Sequence, residues 1–324
     1  MAGFDTIRQR LDPELRELNR IIRKELATSN QLMDEVVGGY LRTKGKQIRP
    51  IIVILSAKMF GETNDHVLYA GAALEMLHNA SLIHDDVVDE TKLRRGSDTI
   101  NSLYGNHLAV LVGDFFVSHA LGAGIRTGRI SIISALSALG VELSIGEVEQ
   151  ICNSKGLDLS EEAYMGMIGK ETASLFVNCV KMGAEAVDAS PEEYTPLMEY
   201  AYNLGLCFQI KDDIFDYFDS GNIGKPTGND LREGKVSLPL LYALRSAPCD
   251  EAEKMKEMLS SDTMSDADIQ TLIKFAIENG GIDYAFNKMR ELERSADRIL
   301  EHYGDRPTAK DFRDIFDFII SRDK

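Results

Sequence analysis

From Val67 to Asp89, apolar side chains (Leu74, Met76, Leu77, Ala80, Leu82, Ile83) cover most of the circumference that a helix would present. A helix apolar on nearly every side belongs at the centre of a bundle rather than on its surface. This one ends in Asp85-Asp86-Val87-Val88-Asp89. The pattern Asp-Asp-x-x-Asp recurs at Asp212-Asp213-Ile214-Phe215-Asp216, again in apolar company (Phe208, Ile210, Ile214, Phe215, Phe218). On a helix, positions i and i+4 share a face and i+1 lies about 100° round, so each motif crowds three carboxylates together. Aspartates among side chains that favour burial are costly unless cations neutralise them. Oxygen-only clusters select hard cations, and Mg²⁺ joins a few carboxylates to substrate phosphates while keeping waters. Two such clusters facing one another across a cavity would grip a diphosphate between several Mg²⁺ ions and stabilise it as a leaving group.

Helical periodicity continues along the chain. Start signals stand at Ser190-Pro191-Glu192-Glu193, Ser265-x-x-Asp268 and Thr308-x-x-Asp311. Ile51-Ile52-Val53-Ile54-Leu55 has the composition of a strand, but its flanks read as helix. The polar break from Asp219 to Lys235, with Gly221, Gly224, Gly228 and Gly234, is expected to be a mobile lid. No repeat or dividing linker interrupts the pattern. Residues 1–324 therefore read as one large all-α domain, a helical bundle around a central apolar cavity.

Charge narrows the function. The 324 residues carry 36 Lys+Arg against 52 Asp+Glu, a net charge of −16, which argues against nucleic acid as a partner. Cys152, Cys179, Cys207 and Cys249 lack metal-ligand spacing and read as buried thiols in a reducing compartment. The N-terminus has no apolar signal core, and no uninterrupted apolar run approaches the ~18–20 residues of a membrane span. A cytoplasmic protein without a transmembrane segment is expected; transient docking at a membrane surface for product release is compatible, but no motif carries it.

Basic residues flank the acidic motifs. Lys44-Gly45-Lys46-Gln47-Ile48-Arg49-Pro50 places cations at a helix start, where free N–H groups also favour an anion. His78 lies about two turns before Asp85, Arg94-Arg95-Gly96 follows the first motif, and Lys225 and Lys235 lie within and at the end of the glycine-rich break. In a net-acidic chain this placement favours a second phosphate site beside the cation site.

With these residues in place, the chain resembles the trans-isoprenyl diphosphate synthases, the polyprenyl synthetase family, in their bacterial long-chain form. The resemblance runs from about Lys44 to Pro239 and more loosely to the C-terminus. It is carried, in order, by GKQIRP, Glu75-Met76-Leu77-His78, the first aspartate motif with RRG, Gly113 to Phe116 (GDFF), Thr172-Ala173, the second aspartate motif, and GKPTGND with EGK. The resemblance implies the isoprenoid synthase fold, a homodimer, and two or three Mg²⁺ ions held by Asp85, Asp86, Asp89, Asp212, Asp213 and Asp216. It implies that Arg94, Lys225 and Lys235, with Thr172 and Gln209 beside them, serve an allylic diphosphate (farnesyl or geranylgeranyl). Lys46, Arg49, His78 and Arg95 would hold isopentenyl diphosphate. Of these residues, Asp85, Asp86, Asp89, Asp212, Asp213, Lys225 and Lys235 would be catalytic. Diphosphate would leave the allylic substrate, the double bond of isopentenyl diphosphate would attack the resulting cation, and a proton would then be lost while water is excluded.

One departure from the family pattern falls at Lys170-Glu171-Thr172, where an acid takes the place of a lysine and Lys170 sits one residue early. Lys170 is expected to bend round towards the allylic diphosphate, or else affinity falls. Gln47, where arginine is common, is a milder change. Product length depends on what blocks the path below the first motif. Ser81 and Ala80, four and five residues before Asp85, are small and leave that level open, with Met76 a candidate for a lower floor. Short-chain members of the family place bulky residues at this level as a floor, so with small residues here the resemblance implies a product of about seven to nine isoprene units. The alternatives are a short-chain farnesyl or geranylgeranyl diphosphate synthase, and a non-catalytic subunit of a heteromeric synthase, though such subunits usually lose aspartates. A His-Asp metal phosphohydrolase would leave the second motif unexplained, and a di-iron bundle would need a second Glu-x-x-His. A terpene cyclase would normally carry an Asn/Ser/Glu second motif.

Overall fold

In the computed structural model, which describes residues 2–42, 45–94, 96–156, 159–218, 227–261 and 264–322, the helix Asp65–Val88 begins where Asn64 accepts a hydrogen bond from the Val67 N–H at 3.1 Å. Leu74, Met76, Leu77, Ala80 and Ile83 are buried along it, as the all-round apolar pattern requires. The described residues are helical almost throughout. The only strands among them form a two-stranded antiparallel ladder, Leu93 opposite Asp98 and Arg94 opposite Ser97. The all-α expectation holds.

The chain gathers into two compact units. The first comprises Met1–Val141, Leu175–Ala201 and Ile299–Ile315. Its core includes the helix Ile48–Phe60, whose Ile51-to-Leu55 run is fully buried and helical rather than extended. Each such side chain contributes about 1.5–3 kcal/mol of burial. Gln47, just before this helix, holds a left-handed φ of 56°, a conformation that a β-carbon makes costly. Its amide exchanges hydrogen bonds with Asn19 at 3.0 and 3.3 Å, which offsets part of that cost.

The helix Asn106–Arg126 packs along Asp65–Val88 through small buried residues, Ala109, Gly113, Ala120 and Ala123. A β-carbon at Gly113 would lie 2.1 Å from His84 Nε2, so glycine leaves the space that the His84 ring occupies. The helix Pro307–Ser321 begins at its proline, not at Thr308 as the capping pattern suggested. Proline at the first helical position needs no N–H partner and supplies the start itself.

The second unit comprises Glu142–Ser174, Tyr202–Arg298 and Phe316–Lys324. Its core gathers Tyr217, Leu231, Leu240, Leu244, Ile269 and Leu272. Ser265 and Asp268 form the expected capping box at the start of Asp266–Glu278. A π-helical turn, Gly169–Ala173, follows Glu161–Ile168. Of the expected lid, residues 219–226 lie outside the described residues. The remainder is not a plain loop, because Asn229–Arg232 forms a helical turn between Gly228 and Gly234, both at positive φ.

Two expectations need adjusting. Cys179 and Cys207 are buried, and burial pushes both thiols upward, but Cys152 and Cys249 are exposed on helix surfaces. The helices Asn106–Arg126 and Ile130–Gly156 contain stretches long and apolar enough, by length and composition, to cross a membrane. Isolated polar residues such as Asp114 interrupt them and hide this from a search for unbroken apolar runs. Leu111, Ile125, Ile130, Val141 and Val148 on these helices are exposed.

Candidate active site

In the first unit, the last turn of Asp65–Val88 carries the first motif. Asp85 and Asp89 are half-buried and share a face, whereas Asp86 turns inward and is buried. Arg94, on the ladder just beyond, donates from Nε to Asp86 Oδ1 at 2.7 Å. The Asn101 amide donates to the Asp86 carbonyl at 2.8 Å and to the Thr91 carbonyl at 3.1 Å, tying the segment after the motif to its helix. His84 Nε2 lies 3.2 Å from the Val110 carbonyl and 3.6 Å from Asp114 Oδ1, across the gap that Gly113 leaves open. A cavity of about 460 Å³ adjoins Asp86 and Arg94 and is also lined by Tyr40, Arg42 and Tyr104.

The other first-unit residues singled out by sequence fall as follows. Lys46 is exposed just before Ile48–Phe60, and Arg49 in its first turn is half-buried with its guanidinium 5.4 Å from the Phe176 ring centroid. His78 is buried, and its carbonyl accepts the Ser81 hydroxyl at 2.9 Å. Ala80 and Met76 are fully buried and Ser81 half-buried. Lys44 and Arg95 lie outside the described residues, as does Lys225.

In the second unit, the helix Pro191–Asp216 ends in the second motif, and each of its aspartates has a distinct setting. Asp213 is buried; Tyr164 donates to its Oδ2 at 2.5 Å and Gln209 Nε2 to its Oδ1 at 2.8 Å. The Thr172 hydroxyl donates to Gln209 Oε1 at 2.8 Å, so the π-turn and the motif share one hydrogen-bond chain. Asp216 accepts the Asn229 and Asp230 N–H groups, both at 3.0 Å, and thereby caps the Asn229–Arg232 turn. Asp212 is 41% exposed and accepts from Arg322 Nη2 at 2.6 Å. Burial lifts the Asp213 carboxyl to about 6 against its two hydrogen bonds, with Asp212 and Asp216 adding to the rise. Asp230 is likewise pushed well upward by burial and by the charges of Asp213 and Asp216, while Lys235 pulls it down.

Lys235 pairs with Glu233 at 2.9 Å, and with the Gln150 side-chain amide turned to suit its neighbours, the amide oxygen accepts from Lys235 Nζ at 3.1 Å. In the same orientation the Gln150 amide nitrogen donates to the Glu171 oxygens at 3.1 and 3.3 Å. Lys170 does not bend round to the motif as expected. Its ammonium binds both Glu149 oxygens at 2.6 and 2.7 Å, where an opposite charge on Ile130–Gly156 meets it directly.

Among the described residues, no three His, Cys, Asp or Glu side chains form a metal-binding set by themselves. Helix register places Asp85 and Asp89, and Asp212 and Asp216, one turn apart on a shared face, although both Asp216 oxygens already accept backbone N–H groups. Such pairs suit a hard cation that completes its shell with water and phosphate oxygens. Tyr164, Asp230 and Arg322 escaped the sequence reading. Asp230 closes the GKPTGND motif and carried a signal, whereas the other two become relevant only once distant segments meet.

Comparison with known proteins identifies the family and the fold. Residues 30–276 match the polyprenyl synthetase family. The octaprenyl diphosphate synthase of Haemophilus influenzae is 32% identical over 302 residues, 93% of this chain and 92% of the relative. A short chain isoprenyl diphosphate synthase of Methanothermobacter thermautotrophicus is 33% identical over 288 residues, 86% of this chain and 87% of the relative. The crystal structure of a polyprenyl synthase from Caulobacter crescentus, complexed with calcium and isoprenyl diphosphate, superimposes with a TM-score of 0.92 at 29% identity and covers 98% of both chains. The chain belongs to the polyprenyl synthetase family and is a trans-prenyltransferase.

Proposed function

We propose that this protein condenses an allylic diphosphate, farnesyl or geranylgeranyl, with successive isopentenyl diphosphates to give an all-trans product of about seven to nine isoprene units, with pocket depth setting the limit. The length rests on one observation: Ala80 and Ser81 are small where the chain would pass the first motif. Bound Mg²⁺, in two or three ions, supplies charge neutralisation for the departing diphosphate. Asp85 and Asp89 of the first motif would hold such an ion in one unit, and Asp212 and Asp216 of the second motif in the other. Asp86 and Asp213 sit behind them, fixed by Arg94 and by Tyr164 with Gln209.

Arg94 and Lys235, joined by Lys225, steady the allylic diphosphate, and Thr172 keeps Gln209 aligned. Lys46, Arg49 and His78, with Arg95, bind isopentenyl diphosphate. The allylic C–O bond breaks with its electrons going to diphosphate, the double bond of isopentenyl diphosphate forms the new C–C bond, and the proton lost passes to the departing diphosphate. No protein nucleophile is required. The family match, residues 30–276, includes parts of both units, which supports reading the chain as one catalytic domain. We place it in the cytoplasm as a homodimer. Leu111, Ile125 and Ile130 are exposed apolar side chains on neighbouring segments that a second copy could cover.

Purified protein with Mg²⁺, farnesyl diphosphate and labelled isopentenyl diphosphate provides the test, with the dephosphorylated products separated by chromatography. Long all-trans products are expected; termination at farnesyl or geranylgeranyl length would refute the product assignment. Light scattering on the same sample should give twice the chain mass.

A further inference from the structure

Arg322 follows the end of Pro307–Ser321, yet its side chain is only 7% exposed; arginines are ordinarily among the most exposed residues. Its Nη2 donates to Asp212 Oδ1 at 2.6 Å and to the Phe208 carbonyl at 3.0 Å. The guanidinium carbon lies 4.1 Å from the Phe208 ring centroid and 5.7 Å from that of Phe215. Phe208, Asp212 and Phe215 are spaced i, i+4 and i+7, which places them on one stripe of Pro191–Asp216, and the guanidinium sits on that stripe. A buried guanidinium is costly unless paired. Here the charge-assisted bond and the aromatic face offset that cost.

Asp212 keeps 41% of its side-chain exposure, so the arginine engages one oxygen while the carboxylate still reaches solvent. A carboxylate held at one oxygen by a rigid donor has a fixed orientation for the other, which is how groups behind metal ligands act. The structure assigns Arg322 as the positioning residue for Asp212, aiming its carboxylate at the divalent cation of the second motif. This rests on the reading of Asp212 as a cation ligand given above. A planar guanidinium can stack on Phe208 and donate at its edge at once, which a lysine ammonium cannot match.

The test is calorimetric titration of the full-length protein with Mg²⁺ and inorganic pyrophosphate, with unfolding midpoints recorded alongside. Arg322→Met should weaken binding about tenfold or more, and Arg322→Lys by less. In an Asp212→Asn background, Arg322→Met should add nothing, since its effect passes through Asp212. If Arg322→Met does not fold, Arg322→Lys carries the same comparison. Binding within about twofold of wild type, tighter binding, or an undiminished effect in the Asp212→Asn background would overturn the assignment and leave the proposed function standing. Wild-type protein that fails to condense substrates with Mg²⁺ would instead overturn the function.

Discussion

The Tyr164 hydroxyl donates to Asp213 Oδ2 at 2.5 Å with both side chains buried, so the middle aspartate of the second motif is held by protein. Tyr164→Phe should cost about 1–3 kcal/mol, the penalty for leaving a buried acceptor short of a donor. It should also raise the Asp213 carboxyl further, because that hydrogen bond lowers it. Denaturant unfolding at neutral pH checks the first effect; unchanged stability would contradict it.

Asp213 also gives a pH signature. Its folded value of about 6, raised by burial, exceeds the ordinary ~3.9 of an aspartate. Its contribution to stability is therefore fully present below about pH 4 and lost as the pH rises through about 6. In metal-free protein, melting temperatures of wild type should fall relative to Asp213→Asn across that window. Parallel curves would show that Asp213 is not responsible.

Gly113→Ala places a β-carbon 2.1 Å from His84 Nε2, so the partly exposed His84 ring must swing away from Val110 and Asp114, at a cost of about 1 kcal/mol. Because the contact sits one residue before Asp85, the half-saturating Mg²⁺ concentration should rise as well. Adding His84→Ala should recover part of both losses by restoring the space. A double variant no better than Gly113→Ala would rule out this contact as the cause.

At the departure from the family pattern, the two neighbouring residues should behave differently. Lys170 pairs with Glu149 while both side chains are more than a third exposed, so Lys170→Ala should cost no more than about 1 kcal/mol and leave the allylic Michaelis constant unchanged. Glu171→Lys places a cation beside Gln150, which bridges to Lys235, and should lower that constant. If neither variant differs from wild type, the position has no bearing on substrate binding.

Much of the fold was legible because it is written locally. The all-round apolar helix before Asp85, the Ser265–Asp268 capping box and the proline opening Pro191–Asp216 are short-range patterns, and each appears as read. The aspartate motifs were legible for the same reason. What could not be read depends on partners far away in sequence: Arg322 reaches Asp212 across 110 residues and Tyr164 reaches Asp213 across 49. The turn Asn229–Arg232 was hidden because its cap, Asp216, lies outside the glycine-rich segment. The pairing of Lys170 was unreadable for the same reason, because Glu149 lies on another helix.

The most direct measurement is incorporation of labelled isopentenyl diphosphate into allylic product while free Mg²⁺ is titrated down with a chelator. Incorporation should fall to background without divalent cation and return when Mg²⁺ is restored, and Asp85→Ala and Asp212→Ala should each shift the Mg²⁺ dependence to higher concentration. Undiminished condensation in excess chelator would contradict the role given to the two aspartate motifs.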